Sequence, residues 1–516
     1  MTRRKLCGTL VVTHYNKYIH YYNYDKLPLV MEGDFCEEKK AMTWEIGVQK
    51  NFFIDWLPVQ AGQLEFNADK RIFTPRNIPR GVNIVMEKPK MSRLWMQADQ
   101  PWEELCIGGY LTAIYEGGKY RLWYESYDLS AYGIRLGDWT AKLCYAESED
   151  GTDWVKPQLG IVTYKGSKAN NIVYDASVAG VYAYHGGTVF RDPSCSSDEQ
   201  YKLIYTGNVP GEFNFMIRGA TSPDGFHWRP LEQTLIEDYL SDSQATCYYD
   251  TGLKCYVAYF RLWDLTPWGG WGRRVITRAA TPDFRRWPRP ETVLALDGPH
   301  DHPSHDLYTN AHVKHAEDVH LMFPAQYSRE KDTVAVHLAV SRDGIRWHYF
   351  GEEPIVAPAD DSGQVYAGCG LVPLGENGIG LPYVVYPGTH NYLYPGPNPH
   401  AGEYHWAIWE RDRLVAVEAP GLGEFSLQPL IHRQNRLVLN LRTGQAGEVR
   451  IQLSDEAGKA IQGYSFEDCD PLVGDHPEVA VTWRGNPDLS PTAGKPVVVD
   501  FCVRAARIYT FRTETQ

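Results

Sequence analysis

The chain has 516 residues, 43% of them hydrophobic and 22% charged, with a net charge of −13; this is several times the length served by one hydrophobic core. Its 16 Trp, 34 Tyr and 17 Phe run along the whole sequence, which excludes a disordered chain. An acidic chain without a basic stripe argues against a nucleic-acid binder, and no apolar run approaches the roughly 20 residues that span a bilayer.

In chain order, the first segment makes a poor secretory signal, because Leu6 to Val12 is short and includes Gly8 and Thr9. The ten cysteines are scattered, none forming a CxxC pair or sitting beside a His at zinc-ligand spacing. The expectation is therefore a soluble, cytoplasmic protein with no metal and no cofactor. Residues 1–99 hold aromatic strand-like pieces such as Asn51 to Trp56, and are expected to pack on the repeated units C-terminal to them rather than fold alone.

From about residue 100 a short pattern recurs: a small or hydroxyl residue, Asp-Gly or a near equivalent, then Trp three residues later. The copies end at Trp154, Trp228, Trp287 and Trp347, which fall 59 to 74 residues apart, a period that suits one four-stranded unit with its loops. Each copy comes after an apolar β-forming run: Tyr120 to Tyr124, Tyr201 to Tyr205, Tyr256 to Tyr259 and His320 to Phe323. A fifth run, Tyr383 to Tyr386, leads to Trp406 to Trp409 and then Glu410 to Leu414 in place of the Asp-Gly turn. Period-two text with Asp-Gly hairpins and almost no helical period predicts an all-β array. Five units closed into a ring would hide their edge strands, so residues 100–420 are read as a five-bladed β-propeller.

After Pro420 the texture changes to five short strands without the repeat: Arg436 to Leu441, Glu448 to Leu453, Val479 to Trp483, Val497 to Phe501 and Arg507 to Phe511. Asp455 to Gly458 supplies a hairpin turn, and residues 424–516 are read as a C-terminal β-sandwich.

Such a propeller with a β-sandwich behind it resembles glycoside hydrolase family 32, and the propeller alone is similar to family 43. The run Ala146 to Trp154 and its Tyr-x-Leu-x-Tyr partner resemble the blade text of family 32-like proteins over roughly residues 50–516. The resemblance implies a glycosidase, exo-acting on a furanoside or related glycan, with one carboxylate at the start of the innermost strand in each of the first three blades. Of the family's three local motifs only Arg191-Asp192-Pro193 is present; the Asn-Asp-Pro-Asn and Glu-Cys motifs are absent. A carbohydrate-binding propeller without catalysis is the alternative. The partner expected is an oligosaccharide or glycoside, with no nucleic acid and no membrane, and a homo-oligomer is left open.

Hydrolysis needs an acid for the leaving oxygen and a second carboxylate that attacks or activates water. Measured back from the end of each blade's apolar run, Glu103 lies 21 residues before Tyr124, His185 20 before Tyr205, Asp242 and Asp306 17 before Tyr259 and Phe323, and Tyr366 20 before Tyr386. Asp192 lies only 13 before Tyr205 and leads into turn-forming Pro193 to Asp198, so it reads either as a hairpin turn at the far end of its strand or as the family's stabilising acid. The register makes Glu103 a nucleophile or base and Asp306 a group that binds a hydroxyl or tunes its neighbours. The resemblance makes Asp242 the general acid. Trp102 would stack on a sugar face, His185 with Gly186 and Gly187 would put a titratable ring beside a backbone free to approach a ligand, and Gln244, Tyr308, Tyr366 and His390 would bind hydroxyls. Arg261 and Arg274 would suit an acidic sugar or act on a carboxylate. The histidines at 302, 305, 312, 315 and 320 are too loosely spaced for a metal site.

Overall fold

The computed structural model describes residues 44–67, 71–128, 141–181, 183–208, 215–237, 239, 241–264, 272–298, 301–358, 363–391 and 402–515. Among them the chain is almost wholly antiparallel β, and no helix is long and apolar enough to cross a membrane.

Sheet one carries Cys106–Glu116, Lys119–Tyr127, Lys142–Ser148 and Trp154–Val155, with Ile172–Tyr174 added alongside. Sheet two is Ala183–Arg191, Tyr201–Asn208, Phe215–Ser222 and Arg229–Pro230; sheet three is Thr246–Asp250, Cys255–Asp264, Arg273–Thr281 and Glu291–Leu294. The apolar runs of the sequence fall in the second strands of the repeated units, except Phe323, which comes just after Val319–Met322, and Leu203, Ile204 and Tyr205 of the second run are fully buried.

The fourth unit departs from a single sheet. Its outer halves, His312–Ala316, Val319–Met322, Leu338–Ser341 and His348–Phe350, pair among themselves. Its inner halves, His305–Thr309, Ala325–Ser328 and Thr333–Val336, instead join Gln364–Ala367, Gly378–Tyr386 and Glu403–Glu410 through a parallel contact between Val334 and Gln364. The break falls at Pro324, which has no N–H to give to a ladder. The last strand of this fifth unit comes from near the N-terminus: Lys90–Met91 pairs with Ala407 and Ile408.

Hydrophobic clusters lie between successive sheets. One joins Trp123, Leu143 and Tyr145 to Val189 and Leu203, the next Phe190 and Ile204 to Tyr256 and Ala258, and a third Val257 and Ile276 to Leu307 and Met322. A fourth links Leu321 and Val336 to Val365 and Leu381, and a fifth packs Val384 and Trp406 against Leu111 and Leu122 of sheet one. The repeated turns tighten the same contacts. In three of them a Ser Oγ accepts from the Gly N–H and an Asp Oδ1 from the next two amides, as at Ser222, Asp224 and Gly225. The Gly carbonyl then accepts from an aromatic of another sheet: Gly225 from Trp123, Gly344 from Tyr259 and Gly151 from Trp406, each at 2.8 Å.

A separate six-stranded sheet holds the C-terminal residues, with Asp475–Ala480, Arg436–Ser454, Val498–Glu514, Val415–Ser426 and Asn83–Met86 in order and Asn51–Phe52 beside Val498–Glu514. Two pairs of strands expected as separate are single long strands here. Arg436–Ser454 and Val498–Glu514 bend together where Gly444 to Gly447 meets Ala505, and a Cβ on Gly447 would lie 2.3 Å from the Ala505 carbonyl oxygen. Asp455 to Gly458 turns the chain as expected, closed by Gly458 N–H to the Asp455 carbonyl at 2.8 Å. Of Asn51 to Trp56 only Asn51–Phe52 is a strand, while Phe53 is fully buried in the core of this sheet.

Candidate functional site

The inner strands of sheets two and three touch at their starts. Gly186 has φ +70°, and a Cβ there would lie 2.6 Å from the Ser243 carbonyl oxygen, so only glycine lets these backbones approach. His185 and Asp242 flank that contact. His185 is partly exposed; its Nδ1 lies 2.7 Å from the Tyr127 hydroxyl and 3.2 Å from Glu125 Oε2, and its ring packs 5.1 Å from Tyr110. Glu125 is fully buried and also accepts from Tyr127 Oη at 2.9 Å and Gly187 N–H at 3.2 Å. The imidazole is thus held through Nδ1, and Nε2 has no partner among the described residues.

Asp242, with 28% of its side chain exposed, forms an ion pair with Arg261 Nη2. Arg261 is 1% exposed and lies 5.0 Å from the centre of the Tyr308 ring and 5.7 Å from Trp263. Arg274 lies over the same rings, at 4.7 Å and 4.1 Å, and gives Nη1–H to Asp306 Oδ2 at 3.0 Å. Asp306 is buried and taken in a two-pronged grip by Arg329, with Nε 3.0 Å from Oδ2 and Nη2 2.8 Å from Oδ1. Tyr308 also meets the rings of Tyr366 and His390, at 5.7 and 4.7 Å. Tyr366 gives its hydroxyl hydrogen to Gln364 Oε1 at 2.7 Å, and His390 Nδ1 sits 3.2 Å from the same oxygen. Burial, then the charge of Arg274, pushes the His390 imidazole down to about 4, so it is neutral at physiological pH.

The sequence-chosen residues therefore divide. His185, Asp242, Arg261, Arg274, Asp306, Tyr308, Tyr366 and His390 come from the starts of sheets two to five and their neighbouring strands. Gln244 is fully buried and donates from Nε2 to the carbonyls of Asn310 and Ala367 at 2.9 and 3.3 Å, cross-linking three sheets. Glu103 lies in a short 3-10 turn, Pro101–Glu103, and is fully buried. Its Oε2 accepts from Asp99 N–H, Gln100 N–H and Lys156 Nζ at 2.9, 3.1 and 2.7 Å, and its Oε1 from the Tyr124 hydroxyl at 2.5 Å. Trp102 is buried beside it, edge-on to Tyr164. Asp192 comes just past the far end of the strand that carries His185, about 20 Å away at the rise of a β-strand. Its Oδ1 accepts from Ser194 N–H and Oγ–H at 2.8 and 2.7 Å, and its Oδ2 from the Tyr256 hydroxyl at 2.7 Å, with Lys202 Nζ 3.3 Å away. Burial works to raise its pKa, but these bonds and the lysine outweigh it and hold the carboxyl below its usual range. This is the geometry of a turn anchor.

Sequence reasoning missed Tyr110, Glu125, Tyr127, Trp263 and Arg329. Glu125 and Tyr127 had a signal: polar groups two apart in an otherwise apolar strand share one face. Among the described residues no group of three or more His, Cys, Asp or Glu could hold a metal ion, and the cysteines there are unpaired.

No family model matches this chain, and no curated protein matches it. Similar solved structures include one described as a glycoside hydrolase, 13% identical, with a TM-score of 0.44, over 63% of this chain and 91% of that one. Others are a GH32 beta-fructofuranosidase, BmSUC1, of Bombyx mori (9% identity, TM-score 0.39) and a sucrose-6-phosphate hydrolase of Lactobacillus gasseri (12%, 0.39), each over 79% of this chain and 91% of the other.

Proposed function

We propose that the five units form a five-bladed β-propeller closed by Lys90–Met91, with the C-terminal sheet as a β-sandwich, and that the protein is a glycoside hydrolase. The packing of Trp406 and Val384 against the first sheet supports the ring. The observation that carries the function is the close approach of the Gly186 and Ser243 backbones, which places their chain neighbours His185 and Asp242 at one contact between sheets two and three, with Tyr110 packed on His185 and Arg261 joining Asp242 to Tyr308. In this reading Asp242, ion-paired with Arg261 and partly open to solvent, accepts a proton from an attacking water. That reverses the acid role the family resemblance implied for it. His185, steadied by Glu125 and Tyr127, carries the proton to the leaving oxygen through Nε2. The water oxygen bonds to the anomeric carbon as the glycosidic C–O bond breaks. Glu103 and Asp192 take no part, because their oxygens are committed inside the fold. Nothing among the described side chains selects a furanose over a pyranose.

The test is a screen of aryl-glycosides and natural oligosaccharides on the wild type, and then on Asp242→Asn and His185→Gln. Each variant should lose on the order of 10²–10⁴ in kcat with its circular dichroism unchanged. Folded variants as active as the wild type would defeat the assignment. The ion pairing of Asp242 also favours a second reading, a propeller that binds glycans without turnover; tight binding with no hydrolysis of any substrate would establish it.

A further inference from the structure

The arginines beside Asp242 are not fully used by the protein. Arg261 is 1% exposed, yet among the described residues its Nε and Nη1 have no hydrogen-bond partner, and the same is true of Arg274 Nε. A buried guanidinium normally has its N–H groups paired, because water no longer serves them. The acids nearby do not supply what is missing. Asp306 already accepts two bonds from Arg329 and one from Arg274 Nη1, and Asp242 takes only Nη2 of Arg261. Glu125 is engaged by Tyr127, Gly187 and His185, and Asp332 by Tyr327 and Asn391. Meanwhile both guanidinium groups share the rings of Tyr308 and Trp263, and three arginines, Arg261, Arg274 and Arg329, face only two carboxylates, Asp242 and Asp306.

We propose that the missing partner is a carboxylate carried by the bound sugar, so that the site takes a uronate residue of an acidic glycan. This rests on the glycan reading above and adds the charge of the substrate to it. A planar monoanion fits better than a phosphate: it meets guanidinium N–H groups in one plane, and Asp242 and Asp306 at the same arginines would repel a dianion more strongly. Trp263 and Tyr308, both only partly buried, border the two guanidinium groups and give the site an aromatic lining beside its charge.

Calorimetric titration of the full chain tests this with galacturonate and glucuronate oligosaccharides, their carboxyl-reduced neutral counterparts, and glucose 6-phosphate, each at low and high salt. The acidic oligosaccharides should bind on the order of tenfold or more tightly than their reduced forms, and the advantage should shrink as salt rises. Arg274→Gln should abolish the preference while circular dichroism stays native; it carries the test if Arg261→Met fails to fold. Equal or tighter binding of the reduced forms overturns the proposal, and so does preference for the phosphate ester. Hydrolysis of neutral glycans without affinity for the acidic ones leaves the glycosidase reading standing and removes this one. Binding of no sugar at all removes both.

Discussion

Glu103 and Asp192 each accept at least three hydrogen bonds and face a lysine, Lys156 or Lys202, that is itself buried. Replacing one member of such a pair strands the other charge in a medium that solvates it poorly, a loss of about 3–5 kcal/mol. Glu103→Gln and Asp192→Asn should therefore lower the unfolding free energy measured in urea by that much while the folded fraction keeps its affinity for glycan; unchanged stability with lost turnover in either variant would make that residue catalytic. Asp242 differs because it keeps a face open to solvent, and a carboxylate must be reachable before it can serve a substrate.

At the scale of the element, the Ser-x-Asp-Gly turns do two jobs. Their polar side chains satisfy the turn's own amides, and their glycines admit an aromatic of the neighbouring sheet. Gly225 has φ +83°, and a Cβ there would lie 2.6 Å from Trp123 Cζ2, whereas Gly117 has φ +60° with nothing within 4 Å. Gly225→Ala then combines left-handed strain with overpacking and should cost about 2–4 kcal/mol. Gly117→Ala carries the strain alone, about 1 kcal/mol. Equal losses in denaturant melts would show that the turns do not lock the sheets together. Pro324 acts at the same scale by breaking the strands of the fourth unit, so that half of it pairs with the fifth.

Across the whole molecule, several histidines are buried between sheets. Burial holds His312 well below the ordinary imidazole range, with the charge of His320 adding to it, and burial pushes His320 and His337 down to about 4. In the unfolded chain each takes a proton near pH 6.5, while in the fold each stays neutral until a much lower pH. The unfolded state then binds more protons in that window, so stability falls as pH drops from about 6.5 towards 4, by at most about 1.4 kcal/mol per pH unit for each histidine. Urea unfolding at pH 7 and pH 4.5 measures the slope, and His320→Gln should flatten part of it. A stability independent of pH across that window would contradict the burial of these rings.

The all-β class, the second strands of the repeated units and the positions of their turns were legible in the sequence, because strand period and Asp-Gly chemistry are properties of neighbouring residues. Spacing also placed His185, Asp242, Asp306 and Tyr366 at the starts of inner strands or just before them. Which acid pairs with which cation was decided only by tertiary packing. Glu103 meets Lys156 from 53 residues away, and Asp306 meets Arg274 and Arg329 from 32 and 23. Glu125, in the second strand of sheet one, became a support for His185 only when the first two sheets packed together. A charge's role depends on its solvent and its counter-charge, and both are supplied by strands that no local pattern names.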